Sequence, residues 1–415
     1  MTGLWQNADY KKLWWAAATS NFGSMLHAVA LPLTAIMALD ATPADIAMLG
    51  AASLIPGVVL GLAAGSWVDR LRRRPLLIAS DWLRAGVMLS IPIAALLGTL
   101  TLSHLVVAAL LLGFLGFLFE VAHHSYLPSL VVREQLVDAN AKLKLGEAVT
   151  EGSAFALGGW LIQILSAPIV LGLDALSFAA SALLLGRIRS EEAPPRVREP
   201  SSRVTQEIAE GLRFVMRSPV LLAIASADAL AAFAFRVTLV VYMLYVYQEL
   251  GFSPGVLGMI FAVGSVSSML GAVATDRVVA ALGIGPAMIA GFTLTGLSML
   301  LLPLAPGATL AGVVLLTLHQ MGDGGAIVYE VSEVSVRQSM TPPELLGRVN
   351  GSLRVAGAVA MLLGVGVGGA LGEIVGLRGT LWVAGASASA GALLLLLSPV
   401  RKLRRVPEVH SGEPG

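Results

Sequence analysis

The chain has 415 residues, of which 56% are hydrophobic and 13% charged, with a formal net charge of +1 and no cysteine. Soluble domains carry roughly 25% charged residues. Half that value, a mean hydropathy of +0.81 and recurrent apolar runs of about 20 residues describe a chain built for lipid, while the balanced charge argues against a nucleic-acid partner and the lack of cysteine excludes disulfides and thiolate metal sites.

Apolar runs in hydrocarbon must be helical, because every backbone N–H and C=O needs an internal partner there. The expected fold is therefore all-α, with about twelve spans. The first twelve residues are polar and include Asp9, Lys11 and Lys12. The run that follows is too long for a signal-peptide core and is expected to be the first spanning helix. The first six spans are expected near 13–39, 45–68, 76–97, 103–124, 143–165 and 168–187. A Pro-, Ser- and charge-rich stretch follows, and its later part places Ile208, Leu212 and Val215 on one face. That spacing predicts a short amphipathic helix on the membrane surface. The second six spans are expected near 219–248, 254–280, 285–303, 308–332, 350–373 and 378–398. Residues 1–187 then form an N-terminal six-helix bundle, 188–218 a cytoplasmic linker, 219–400 a second bundle and 401–415 a tail.

Charge placement sets the orientation. Alternate gaps collect Arg70, Arg72, Arg73 and Arg74, then Arg133, then Arg187 and Arg189, then Arg337 and Arg348, and the tail adds Arg401, Lys402, Arg404 and Arg405. The opposite gaps hold Asp40, Asp45, Glu249 and Glu373, with Arg378 as the lone base. Both termini are expected in the cytoplasm.

The chain also repeats itself. The segment from Glu120 aligns without a gap on the segment from Glu330, an offset of 210 residues that keeps Ser125/Ser335, Ser129/Ser339, Glu134/Glu344 and Asn140/Asn350. Gly158-Gly159 falls on Gly368-Gly369 at the same offset. Two related bundles, the parallel repeat of secondary transporters, are the expected architecture.

Ionisable groups within spans are costly in hydrocarbon and mark function or structural pairing. His27 lies mid-span and suits proton handling, or else is a hydrogen-bonded interior histidine. Asp228 and Arg236 lie eight residues apart on one helix, too far to touch; they line a cavity or find partners on neighbouring helices. Glu147 is expected to pair with Lys144, leaving Glu151 a turn deeper. Asp81 and Arg84, three apart, are expected to form an ion pair, and Asp174 to be structural. His319 and Asp323, four apart, form a candidate proton relay. The Glu120-x-x-His123 spacing alone is insufficient for a di-iron site, so no metal is expected. No nucleophile triad or phosphate-binding loop is present, so neither enzyme activity nor a cofactor is expected.

The stretch Gly65-Ser-Trp-Val-Asp-Arg-Leu-Arg-Arg-Arg-Pro75 resembles the loop motif between the second and third helices of the major facilitator superfamily. "EQLVDAN", "LDALSFAASALLLGRIR", "EGLRFVMRSP" and "LGRVNGSLR" are similar to the macrolide-efflux and enterobactin-exporter branch. The resemblance implies two six-helix bundles that give alternating access to a central cavity. It also implies a cytoplasmic gating loop with Gly65, Asp69, Arg70 and Arg73. Asp81 and Arg84 lie beside that loop at the cytoplasmic mouth, and the repeat makes Glu120 and Glu330 quasi-symmetric partners for nearby bases there. Two features depart from the pattern. The Gly-Pro-x-x-Gly-Gly turn of related antiporters reads Ala154-Phe155-Ala156-Leu157-Gly158-Gly159, and the fourth span has Glu120, His123 and His124 but no arginine. The expected function is proton-coupled export of amphipathic or hydrophobic small molecules by a monomer. The alternatives are a lipid or lysolipid facilitator of the same fold and a non-transporting membrane sensor.

Overall fold

The computed structural model describes residues 4–68, 72–132, 135–190 and 204–405. They form helices α1 (Ala8–Leu39), α2 (Pro43–Val68), α3 (Arg73–Leu96), α4 (Leu102–Tyr126), α5 (Leu136–Leu165), α6 (Ala167–Gly186) and α7 (Val204–Arg217). These are followed by α8 (Pro219–Leu244), α9 (Pro254–Leu282), α10 (Ile284–Met299), α11 (Leu310–Gln320), α12 (Gly322–Met340), α13 (Pro343–Ile374) and α14 (Gly376–Leu397). No strand occurs among the described residues. Eleven of the helices are long and apolar enough to cross a membrane.

Local chemistry sets the helix ends. Asn7 accepts from the N–H groups of Asp9 and Tyr10 at 3.0 Å and starts α1. Thr101 and Thr309 cap α4 and α11 in the same way, and Ser218 caps α8 ahead of Pro219. Such side chains satisfy the orphan amides of a first turn. Gly283 and Gly376 adopt φ of 87° and 77° in the turns before α10 and α14, a region that strains any residue with a Cβ.

The tenth expected span is broken. Instead of one helix over 308–332, α11 ends at Gln320 and α12 begins at Gly322. Neighbouring side chains satisfy the freed backbone groups. Ser267 of α9 donates to the Met321 carbonyl at 3.0 Å and accepts from Gly324 N–H at 3.1 Å, while Thr295 of α10 donates to the Gly322 carbonyl at 2.9 Å. A break at membrane depth is tolerated where protein re-satisfies the backbone in this way.

The chain divides into two compact units, Met1–Ser201 with Ser253–Ala262, and Ser202–Phe252 with Val263–Gly415. In unit 1, α6 packs on α1 and α3, α5 on α1, and α4 on α2 and α3. Leu13, Leu77, Tyr126, Leu127 and Leu185 are buried in its core. Residues 253–262 group with this unit, where Gln163 Oε1 accepts from Gly255 N–H at 3.1 Å. In unit 2, α14 packs on α8 and α10, α13 on α8, and α12 on α10. Ile224, Met288, Val336 and Leu395 are buried in its core. Four pairings recur, α1–α6 as α8–α14, α3–α6 as α10–α14, α1–α5 as α8–α13 and α3–α4 as α10–α12, so the internal repeat seen in sequence is also a repeat of packing.

The amphipathic helix α7 packs on α13. Val215 is buried with Leu221 and Val349. Leu212 and Met216 remain 42% and 55% exposed. Its apolar face is thus divided between protein and surroundings.

Candidate functional site

Unit 1 holds a buried polar cluster where α1, α3, α4 and α6 meet. His27 of α1 places Nδ1 2.9 Å from Asp174 Oδ2 of α6. Ser177 donates to the other carboxylate oxygen, Oδ1, at 2.9 Å. The approach depends on Gly23, one turn before His27. A Cβ there would lie 2.9 Å from Ser177 Cβ and would collide with Asp174 Oδ1. On α3, Asp81 and Arg84 form an ion pair with side chains 0% and 6% exposed. The Arg84 guanidinium sits 4.2 Å from the Phe119 ring centroid and 4.4 Å from that of Phe178, a desolvated cation–π sandwich. Phe178 lies between the two pairs, its ring centroid 6.5 Å from that of His27, so they adjoin as one cluster.

Its charges do not balance unaided. Two carboxylates face one permanent cation and one imidazole. With a neutral imidazole the cluster carries one formal negative charge in excess, and unbalanced charge in this setting costs several kcal/mol. His27 is its most accessible ionisable member, with 23% of its side chain exposed against 0% for Asp174.

Unit 2 has a different arrangement. Tyr329 of α12 donates to Asp228 Oδ1 of α8 at 2.6 Å, with its ring edge-on to Phe292 at 4.8 Å. Glu333, one turn further along α12, lies 3.2 Å from Arg337. Arg236 does not meet Asp228. It packs beside Gly364 of α13, and among the described residues its Nε has no hydrogen-bond partner. The His319 ring lies 3.1 Å through Nδ1 from the Ser298 carbonyl of α10, whereas Asp323, beyond the helix break, lies against Gly264 of α9. On α5 of unit 1, Lys144 pairs with Glu147 at 2.6 Å and Glu151 is exposed.

A family described as transmembrane secretion effectors matches residues 4–413. The chain belongs to this family of major facilitator transporters. The multidrug efflux pump Tap of Mycolicibacterium fortuitum is 27% identical, over 88% of this chain and 89% of its own. The enterobactin exporter EntS of Citrobacter koseri is 26% identical over 89% and 86%. The MFS-type transporter YfiS of Bacillus subtilis is 26% identical over 95% of both chains. Among solved structures, a bacterial homologue of the iron transporter ferroportin superposes with a TM-score of 0.76 at 17% identity, over 94% of this chain and 98% of its own. A mutant of the nucleoside transporter NupG also gives 0.76, at 14% identity over 94% and 99%. These structural likenesses establish the fold.

In this transporter the loop-motif residues Asp69 and Arg70 lie outside the described residues, and Gly65 is on α2. Arg74, from the same arginine run, caps the end of α6. It donates to the Leu185 and Gly186 carbonyls at 3.1 and 2.7 Å, where a cation complements the helix C-terminus. Arg73 begins α3. Glu120 and Glu330 are exposed at equivalent positions of α4 and α12. No group of three or more potential ligands is placed to hold a metal among the described residues. Sequence reasoning set Asp174 aside and overlooked Tyr329, Phe119 and Phe178. Their contacts cross from helix to helix over long sequence separations, and no local spacing reports them. Gly23, a glycine one turn from a mid-span histidine, was the one available signal.

Proposed function

We propose that this transporter exports amphipathic or hydrophobic small molecules across the cell membrane by alternating access, in exchange for protons, with both termini in the cytoplasm. The efflux activities of its named relatives support the direction and the substrate class. The formal excess of one negative charge in the cluster around His27 and Asp174 supports the coupling. In one state the proton resides on His27 and neutralises Asp174; in the other it leaves through the exposed edge of the imidazole. Asp228, hydrogen-bonded by Tyr329, is the second candidate for ion or substrate contact, with Glu151, Arg236, His319 and Asp323 as further cavity residues. The loop motif, through Asp69 and Arg70, biases the two states by about 1–3 kcal/mol.

Everted vesicles containing the full chain test this reading. Accumulation of a fluorescent amphiphile should collapse when ΔpH is dissipated. Asp174→Asn leaves Asp81, Arg84 and neutral His27 already balanced, so it should abolish ΔpH-driven accumulation while retaining downhill flux. Accumulation in the unmodified protein that survives loss of ΔpH rejects proton exchange. An Asp174→Asn variant still driven by ΔpH rejects this site and leaves exchange standing.

A further inference from the structure

Unit 2 carries an open apolar furrow between the first turns of α8 and the last turns of α14, with a volume of about 560 Å³. Leu222, Ala223 and Ser226 form one wall; Ala390, Leu393 and Leu397 form the other. The alanines create the hollow, and Leu222, Leu393 and Leu397 are 43%, 54% and 69% exposed along it. The hydroxyls at its edges are turned inward: Ser226 donates to the Leu222 carbonyl at 2.8 Å and Ser398 to the Leu395 carbonyl at 2.7 Å. The furrow therefore offers an apolar surface and little else.

One end is different. After Ser398 the chain makes a short helical turn, Pro399–Lys402, that packs on the start of α8. Arg401 and Lys402 of this turn are exposed, and so is Arg217 immediately before the Ser218 cap of α8. Among the described residues none of the three forms a side-chain hydrogen bond or ion pair. By contrast, Arg348 is engaged with Glu210 at 2.6 Å and Arg404 with the Leu282 carbonyl at 2.9 Å.

An apolar trough ending in three uncommitted cations is complementary to one class of amphiphile. We propose that the α8–α14 furrow is a binding site for an anionic phospholipid, with one acyl chain lying in the trough and the phosphate held among Arg217, Arg401 and Lys402. Basic pockets at the ends of membrane helices select anionic headgroups; a zwitterionic lipid brings its own cation to the same rim and loses that advantage. The site requires only that the chain span a bilayer and is independent of what is exported and what drives export.

Native mass spectrometry of the purified full-length protein in detergent, titrated with phosphatidylglycerol or phosphatidylcholine, tests the assignment. The unmodified protein should retain phosphatidylglycerol preferentially. Each cation removed should weaken retention roughly fivefold, so that Arg217→Gln, Arg401→Gln and Lys402→Gln together cost roughly a hundredfold. Ala390→Trp should fill the trough and release the lipid with all three cations intact. Equal retention of the two lipids overturns the proposal. So does a triple variant that keeps its preference, or competition by glycerol phosphate as effective as by the whole lipid, which would make the site a bare phosphate site. The glutamine changes are on exposed side chains, so the test stands even if the tryptophan variant does not fold.

Discussion

Arg84 shows how one residue is committed by its surroundings. Its charge is neutralised by Asp81 three residues earlier and its faces are covered by Phe119 and Phe178. Removing one member of a buried pair strands the other and costs about 3–5 kcal/mol, whereas replacing both with apolar residues is often neutral or better. Arg84→Met should therefore lower the stability of the purified transporter by about 3–5 kcal/mol, read by thermal unfolding in detergent. Asp81→Leu combined with Arg84→Met should recover most of that loss. If the double variant is as unstable as the single one, Asp174 also depends on Arg84 and the cluster is a single electrostatic unit. His27 and Asp174 were both visible in the sequence as charges placed in spans. Their pairing was not, because it is made by the crossing of α1 and α6 at Gly23.

At the level of elements, α7 makes the sharpest contrast between kinds of contact. Gly211 lies so close to the Arg348 carbonyl of α13 that a Cβ would lie 2.6 Å from its carbonyl carbon. Ser352 donates to the Ile208 carbonyl at 2.8 Å. The ion pair of Glu210 with Arg348 sits at the surface, with side chains 46% and 42% exposed. Exposed pairs contribute about 0–1 kcal/mol, while overpacking costs about 1–3 kcal/mol. Gly211→Val should therefore destabilise by about 1–3 kcal/mol and open α7 to limited proteolysis, whereas Glu210→Ala should change either readout little. Proteolysis that is equal for the two variants would mean that charge, not close packing, holds the helix. The amphipathic spacing announced α7 but not its partner, since a face of Ile208, Leu212 and Val215 suits lipid and protein alike. The break between α11 and α12 was likewise illegible. Gly322, Gly324 and Gly325 read as ordinary small residues of a membrane helix, and it is Ser267 and Thr295 on other helices that make the break affordable.

For the whole molecule, the repeated pairing scheme and the sorting of arginine between alternate gaps are the two global regularities. Charge sorting predicts sidedness directly. Because the chain has no cysteine, single substitutions report it without a background. Arg72→Cys and Arg187→Cys should both react with an impermeant maleimide only from the cytoplasmic side. Arg378→Cys, from the acid-rich gaps where Arg378 meets Glu249 at 3.1 Å, should react only from the other. Labelling of Arg72→Cys and Arg187→Cys from opposite sides would contradict the assigned topology.

Hydropathy, the charge pattern and the 210-residue offset were enough by themselves to define a polytopic all-helical chain with two related halves, because lipid leaves a backbone so few options. The Gly65–Pro75 motif, by its resemblance, pointed to the major facilitator transporters. The local pairs Asp81–Arg84 and Lys144–Glu147 followed from their spacing, but which ionisable groups meet across helices was decided only in three dimensions. Asp174 meets His27 because Gly23 allows α1 to close on α6, and Tyr329 reaches Asp228 from one helix to another 101 residues away in sequence. In a helix that is apolar all round, periodicity does not say which face turns inward.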